Sequence, residues 1–345
     1  MASAFRDQLG SSFILISSVG SDDLPSYHHQ LPLNTQSDKA RYLSACMSAA
    51  WQSLRHRQNI VIYTRDIFVA LTAALFGGQA IYEAHKEPKG QAAHLCTQFL
   101  ASVLKIQFVF ISKALANYYI KHYGITSTQS LIAHDGAFQN DYEALRQQNK
   151  YRLREELDLP LDKTLIVHTG SIYEGRGAHL FEHVARHAQH ILFVQVGGES
   201  DNIAHWQAHY RQKGLNNIIF RPRQNADTVR RYQACADILF YMITKDTSTY
   251  WCCSPLKLFE YMASGTPILG SAIGSISEVL NERNAFTFDP EDSQSIHKAM
   301  SALLESPQEA QRRATIAAEL IDQEYSWHIR AKRIINFARQ SKAQT

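Results

Sequence analysis

The chain has no apolar run of the ~18–20 residues that a membrane-spanning helix needs. Its five cysteines (46, 96, 235, 252 and 253) form an odd set without any C-x-x-C spacing. That excludes a disulfide framework and a zinc knuckle and suits a reducing compartment. A strong charge of either sign is missing too: Lys and Arg number 35 against 32 Asp and Glu, leaving +3. This is too little to argue for nucleic acid, although a modest cationic face toward anionic lipid is compatible with it. The first residues do not form a secretory signal, because Arg6 and Asp7 interrupt them. Short repeats and low-complexity tracts are absent. The expectation is a cytoplasmic protein, with peripheral contact at the inner membrane face left open.

What is present is an ordinary globular composition, 45% hydrophobic and 19% charged, over 345 residues. That is long for one core, so two domains are expected. In the first half the pattern predicts strands at Phe13–Ser17, Ile60–Tyr63, Ala80–Glu83, Phe108–Ile111 and Leu131–Ala133. Amphipathic stretches at 39–56, 66–76, 91–104 and 112–123 lie between them. The second half repeats the rhythm with strands at Thr164–Thr169, Ile191–Val196, Ile218–Arg221, Ile238–Tyr241, Pro267–Gly270 and Phe286–Phe288, and 327–340 is read as a last helix. Strands alternating with helices imply parallel sheets covered on both faces. Residues 138–160 are polar and read as a domain end, a linker helix and the entry to the next domain. The expected division is 1–145, 146–326 and 327–345, an α/β chain of two Rossmann-like halves facing a cleft.

The most informative stretch is Ser254-Pro-Leu-Lys-Leu-Phe-Glu-Tyr-Met-Ala-Ser-Gly-Thr-Pro267. Pro255 suits a first helical turn, and Gly265 followed by Pro267 ends the helix. Leu256, Phe259 and Met262 are spaced to form one apolar face. Lys257 and Glu260 lie three apart and can meet one ligand. A helix start favours an anion such as a diphosphate. Read alone, this would be a surface helix with a weak ion pair. The turn Gly170-Ser-Ile-Tyr-Glu-Gly-Arg-Gly177 lets the backbone approach a phosphate closely and precedes another helix. Alone it would be an ordinary glycine turn.

One motif is set aside. His179-Leu-Phe-Glu182-His183 spells H-x-x-E-H, an inverted zinc-protease pattern, with His187 and His190 near the same face. Histidines four apart can share an ion. Leu180, Phe181 and Val184 fit packing on a sheet better, so no metal is assigned and the histidines are read as a solvated stripe.

With its flanks, SPLKLFEYMASGTPIL and Gly274-Ser-Ile-Ser-Glu278 resemble the donor-binding signature of retaining GT-B glycosyltransferases of the family 4 type. HTGSIYEGRG (168–177), ILFVQVGGES (191–200) and the run 217–242 fall in that family's order, and the likeness extends over residues 58–335. The resemblance implies a GT-B fold whose last helix crosses back onto the first domain. It also implies that the first domain here lacks the family's N-terminal strand and glycine loop, Met1–Leu9 reading as the first helix already under way.

For the site, the resemblance implies three catalytic residues: His85 at the mouth of the first domain, with Arg176 and Lys257 on the departing diphosphate. Donor contacts are implied for Gly170, Ser171, Gly175, Gly177, Gly197, Gly198, Arg223, Ser254, Leu256 and Glu260, the last on the ribose hydroxyls. Tyr63–Asp66 and Ser112 match cleft positions more loosely. No metal and no cofactor beyond the nucleotide-sugar donor is implied. Two positions depart from the pattern: Ser171 stands where the family usually has Arg, and Cys252 replaces the first acid of its E-x7-E pair. The expected function is retaining transfer of a sugar from a nucleotide-diphosphate sugar to a glycan or lipid-linked acceptor in cell-surface polysaccharide synthesis. The alternative is a catalytically impaired nucleotide-sugar-binding protein, and sugar epimerisation is disfavoured by the Lys257–Glu260 block.

Overall fold

The apolar runs become parallel strands, and the amphipathic stretches between them become the helices that cover the sheets. The computed structural model describes residues 1–17, 26–31, 37–172 and 177–342. It divides the chain into Met1–His134 with Trp327–Thr345 as unit 1, and Asp135–Ser326 as unit 2. The first boundary thus falls at His134/Asp135, whereas the sequence placed it at 145/146. Residues 135–145 pack on unit 2: Tyr142 is buried in its core, Asp135 N donates to Ser254 Oγ at 2.8 Å, and Ala137 N donates to Tyr325 O.

Unit 1 holds α1 (Ala2–Leu9), β1 (Leu15–Ser17), β2 (His28–Gln30), α2 (Asp38–His56), β3 (Val61–Thr64), α3 (Ile67–Leu75), β4 (Gln79–Ala84), α4 (Gln91–Ser102), β5 (Gln107–Phe110), α5 (Lys113–Tyr123) and β6 (Ser130–Ile132). Among the described residues, β3-β4-β5-β6 form one parallel sheet. Every residue of β5 is buried, as a strand covered on both faces requires. A separate parallel pair, β1 with β2, includes a strand that the pattern did not predict. Asp66 accepts from Phe68 N and Val69 N and caps α3, while Ser112 accepts from Leu115 N and caps α5. Both had been matched loosely to cleft positions, and their local work is to satisfy helix-end donors. The C-terminal helix (Trp327–Lys342) packs with α1, where Gln8 Nε2 donates to His328 O at 2.7 Å.

Unit 2 begins with two short helices, α6 (Asn140–Arg146) and α7 (Lys150–Glu156). Then come β7 (Leu165–Thr169), α8 (Ala178–His187), β8 (Leu192–Val196), α9 (Ser200–Gln212), β9 (Ile218–Arg221), α10 (Ala226–Cys235) and β10 (Ile238–Tyr241). It closes with α11 (Leu256–Ser264), β11 (Ile268–Ser271), β12 (Phe286–Phe288), α12 (Ser293–Glu305) and α13 (Pro307–Leu320). The described sheet runs β12-β11-β10-β7-β8-β9 and is parallel throughout. Strand order reverses between β7 and β10. In such a sheet the crevice at the carboxyl ends of those two strands is where ligands bind. One core lies on each face, around Tyr261 and Met262 on one side and Phe181 and Phe240 on the other.

Candidate functional site

The chain leaves the carboxyl ends of β7 and β10 through two loops, and both end in a helix start. The β7 loop runs from Gly170 to Gly177 and enters α8; the β10 loop leads to Pro255 and α11. Gly170 has φ 118°, and a Cβ there would stand 3.2 Å from Lys257 Nζ. Gly197, at the end of β8 with φ 114°, would carry a Cβ 3.0 Å from Gly170 O. Both are therefore glycine by close approach as well as by dihedral angle. Gly198 follows with φ 109°, and Gly177 caps α8. Gly170, Gly177, Gly197, Gly198 and Lys257 thus sit around the carboxyl ends of β7 and β8, beside the point where strand order reverses.

Lys257 does not pair with Glu260, as their spacing allowed. Its ammonium lies 2.9 Å from His168 Nε2 and 5.8 Å from the centre of the Tyr241 ring. An ammonium only donates, so Nε2 is the acceptor and the proton of His168 is on Nδ1. Nδ1 is 2.7 Å from Gln195 Oε1, and Gln195 Nε2 donates to Gly170 O at 2.6 Å. His168 and Gln195 are both buried. The relay ties the cation to the glycine turn through a neutral imidazole. A further buried network supports the strand end: Thr169 N donates to Tyr261 OH at 2.8 Å, and Gln233 Nε2 donates to Thr169 Oγ1.

The other donor-side candidates are placed differently. Gly175 and Arg176 lie outside the described residues. Ser171 is exposed beside Gly170. Ser254 is buried and spends its hydroxyl on Asp135 N, so its task is to hold the β10 loop. Pro255 is the residue before α11, with φ −75°. Leu256 is half exposed, and the buried face of α11 is Leu258, Phe259, Tyr261 and Met262, which corrects the expected 256-259-262 stripe. Glu260 is partly buried and makes no hydrogen bond or ion pair among the described residues. Arg223 is largely exposed and lies 3.7 Å from the equally exposed Glu199. Cys252, in the place of the family's first acid, is fully buried. A cavity of about 780 Å³ in unit 2 is lined by Thr164, Asp237 and Pro267 at the strand starts, the end of the sheet away from these loops.

In unit 1, His85 follows β4 and its Nε2 is 2.5 Å from Glu83 Oε1. Glu83 is fully buried and is also bound by Arg65 Nε at 2.9 Å and Arg330 Nη2 at 3.0 Å. Arg330, itself buried, donates through Nε to the carbonyls of Ala133 and His134. Burial alone would raise the Glu83 carboxyl, but hydrogen bonds from His85 and Arg330 outweigh it and hold it below the usual range. The orientation of His85 is set by a carboxylate that is itself clamped.

Sequence reasoning missed His168, Gln195 and Arg330. The signal for the first two was a polar residue inside strands otherwise built to be buried, LIVHT and LFVQV. Arg330 gave none, since its partner stands almost 250 positions away. The H-x-x-E-H pattern is not assembled as a site, because Glu182 is bound by Lys213 and Arg186. His179, His187 and His190 are exposed, as a solvated stripe requires, but His183 is half-buried, with its ring centre 4.6 Å from those of His187 and His297.

Residues 163–306 match the model of the family described as Glycosyl transferases group 1. No curated protein matches the chain in sequence. Among solved structures, a glycosyltransferase from Rickettsia africae superposes with a TM-score of 0.77 at 13% identity, covering 98% of this chain and 92% of that one. HepE from Anabaena, solved with UDP, gives 0.71 at 17% identity over 91% and 86%. WaaG, a glycosyltransferase involved in lipopolysaccharide biosynthesis, gives 0.66 at 14% identity over 96% and 92%. At these identities the likeness is one of fold.

Proposed function

We propose that this chain, whose residues 163–306 match the glycosyl transferases group 1 model and whose fold is that of solved glycosyltransferases, is a GT-B glycosyltransferase that moves a sugar from a nucleotide-diphosphate donor to a glycan or lipid-linked acceptor with retention, in cell-surface polysaccharide synthesis. The observation that carries the donor assignment is the meeting of Gly170, Gly197 and the Lys257 ammonium beside the reversal point of unit 2. Two positive-φ glycines leave room for phosphate oxygens against the backbone, and a fixed cation faces the same space. The UDP in the HepE structure supports the same donor class.

The leaving group is a diphosphate, and the charge developing on its oxygen must be neutralised as the glycosidic bond breaks. Lys257 supplies one cation, and Arg176 is assigned the second by its place in the loop motif. Glu260 is assigned to the ribose: its carboxylate makes no hydrogen bond or ion pair among the described residues, and a carboxylate can accept two hydrogen bonds from a cis-diol. His85 is assigned a hydrogen bond toward the reacting sugar, its ring turned by Glu83. Transfer in this reading needs no metal. The chain works in the cytoplasm, at the inner face of the membrane. On α2, Leu43, Met47 and Trp51 recur every fourth residue and stand exposed, with Leu54 beyond them. Such a stripe supports peripheral contact with lipid.

Calorimetric titration with UDP, GDP and ADP tests the reading. One nucleotide should bind, and Lys257→Ala should weaken it by about 1–3 kcal/mol, the loss of a charge-assisted contact. Unchanged affinity in the variant would overturn the site. The buried Cys252 and the neutral Ser171 favour a second reading, a binding protein that does not turn over. Tight binding with no release of nucleotide from any nucleotide sugar, across a panel of acceptors, would decide for it.

A further inference from the structure

Three imidazoles gather on unit 2 away from the glycine loops. His183 and His187 are one turn apart on α8, and His297 comes from α12. Their ligand atoms all lie within 4.8 Å of one another. The ring of His297 is 3.9 Å from that of His187, centre to centre. A neutral imidazole offers a lone pair from the ring nitrogen that carries no proton, and a hydrogen bond donated by the opposite nitrogen fixes which one that is; two of the three are fixed in this way. His187 Nδ1 donates to His183 O at 2.8 Å, and His183 makes its remaining hydrogen bond with the Ser293 backbone. This is the arrangement that fixes metal-ligating histidines, the far nitrogen held by a carbonyl and the near one left as a ligand.

The near nitrogens point the same way in hydrogen-bonding terms. His183 Nε2 and His297 Nε2 are both buried and neither has a hydrogen-bond partner among the described residues. A buried polar atom left unsatisfied is uncommon and calls for an explanation. A zinc–nitrogen bond of ~2.0–2.1 Å puts ligand nitrogens roughly 3.4 Å apart in a tetrahedral set. The observed ligand atoms, within 4.8 Å of one another, exceed that spacing by about 1.4 Å at most.

We propose that His183, His187 and His297 bind a divalent transition-metal ion of the zinc class, clipping α8 to α12. Three neutral imidazoles select zinc, cobalt, nickel or copper over magnesium and calcium, which prefer oxygen. The remaining coordination positions fall to water, since His187 is exposed. The ion is not at the diphosphate site. His183 lies six residues beyond Gly177, about 9 Å along the helix. Its effect is to fix the body of the helix whose first turn ends the glycine loop, independently of whether the chain transfers a sugar.

The test uses the full, untagged chain stripped with EDTA. Zinc is titrated by calorimetry and cobalt by its visible absorption. The expected result is one ion per chain, a cobalt spectrum showing nitrogen ligation at low coordination number, and a zinc-dependent rise in Tm. His187→Ala is the principal variant, because its exposed side chain can be removed without unfolding the helix. It should lower affinity by more than the ~10–100-fold typical of losing a supporting hydrogen bond, and His297→Ala should do the same. His190→Ala, an exposed histidine outside the cluster, should bind as the parent does. Absence of zinc binding, or binding that survives in both His187→Ala and His297→Ala, would overturn the site. Equal loss in His190→Ala would reassign binding to diffuse surface histidines. Nucleotide affinity measured on the same samples reports on the glycine-loop site separately.

Discussion

Replacing His168 with Phe separates the charge of Lys257 from its position. The ring volume is kept and the strand stays apolar, but Lys257 loses the acceptor 2.9 Å away, and Gln195 Oε1 loses the donor at 2.7 Å. Lys257 keeps its charge and can still reach a diphosphate, so the loss in nucleotide affinity should be that of a neutral positioning contact, about 0.5–1.5 kcal/mol. That corresponds to a roughly 2- to 12-fold weaker Kd. Lys257→Ala should cost about 1–3 kcal/mol. If His168 acts on the ligand only through Lys257, the double variant should bind no more weakly than Lys257→Ala alone. The coupling energy then equals the whole effect of His168→Phe, well above the few tenths expected of independent sites. Titration of the four proteins with the nucleotide that the parent binds gives the cycle directly. Additive losses would refute the relay, and so would a His168→Phe variant that binds as the parent does.

Two further predictions concern the Glu83 cluster. Arg330→Ala removes the buried member of the three groups that bind the fully buried Glu83, leaving it the more exposed Arg65 and His85, and should destabilise by about 3–5 kcal/mol, read as a shift of the urea midpoint; a change under about 1 kcal/mol would show that Glu83 is held without it. Glu83 titrates lower in the folded chain than its ordinary 4.5, so the fold binds fewer protons than the unfolded chain as pH falls. The stability this group contributes is complete above the unfolded value and drains away as pH drops through the lowered folded one. Denaturation midpoints compared between about pH 5 and pH 3 should therefore fall less steeply for Glu83→Gln than for the parent, and parallel slopes would count against the clamp.

Most of the strands were legible because a parallel sheet covered on both faces writes itself as short, wholly apolar runs. Ile218–Arg221 and Ile238–Tyr241 end where the pattern ended them. β2 was not legible: His28-His-Gln30 has no apolar residue, and its strand conformation comes from pairing with Leu15–Ser17. The boundary at His134/Asp135 escaped for a related reason. Residues 138–160 read as a polar domain end, linker helix and entry to the next domain, yet one residue among them, Tyr142, buries its ring in unit 2 and carries its segment with it.

At the site, local motifs located the backbone and tertiary contacts decided the side chains. A glycine followed by a helix start is readable wherever it occurs, so Gly170, Gly177 and Gly197 could be named from the sequence. What a side chain touches is not a local property. The spacing of Lys257 and Glu260 allowed a pair along α11, but Lys257 is two residues beyond Pro255, where the helix has only begun and a long chain can turn off its own surface. It turns toward β7 because His168 offers a buried acceptor there. The same reasoning accounts for Ser254, whose position in the motif suggested a ligand contact and whose hydroxyl instead serves Asp135 N. It accounts as well for the histidines of α8. From one helix they looked like a solvated face, because the residue that turns the half-buried His183 and the exposed His187 into a converging set, His297, lies on a different helix more than a hundred residues on. A pattern confined to one element sets what a residue is able to do, and the neighbouring element selects which of those things it does.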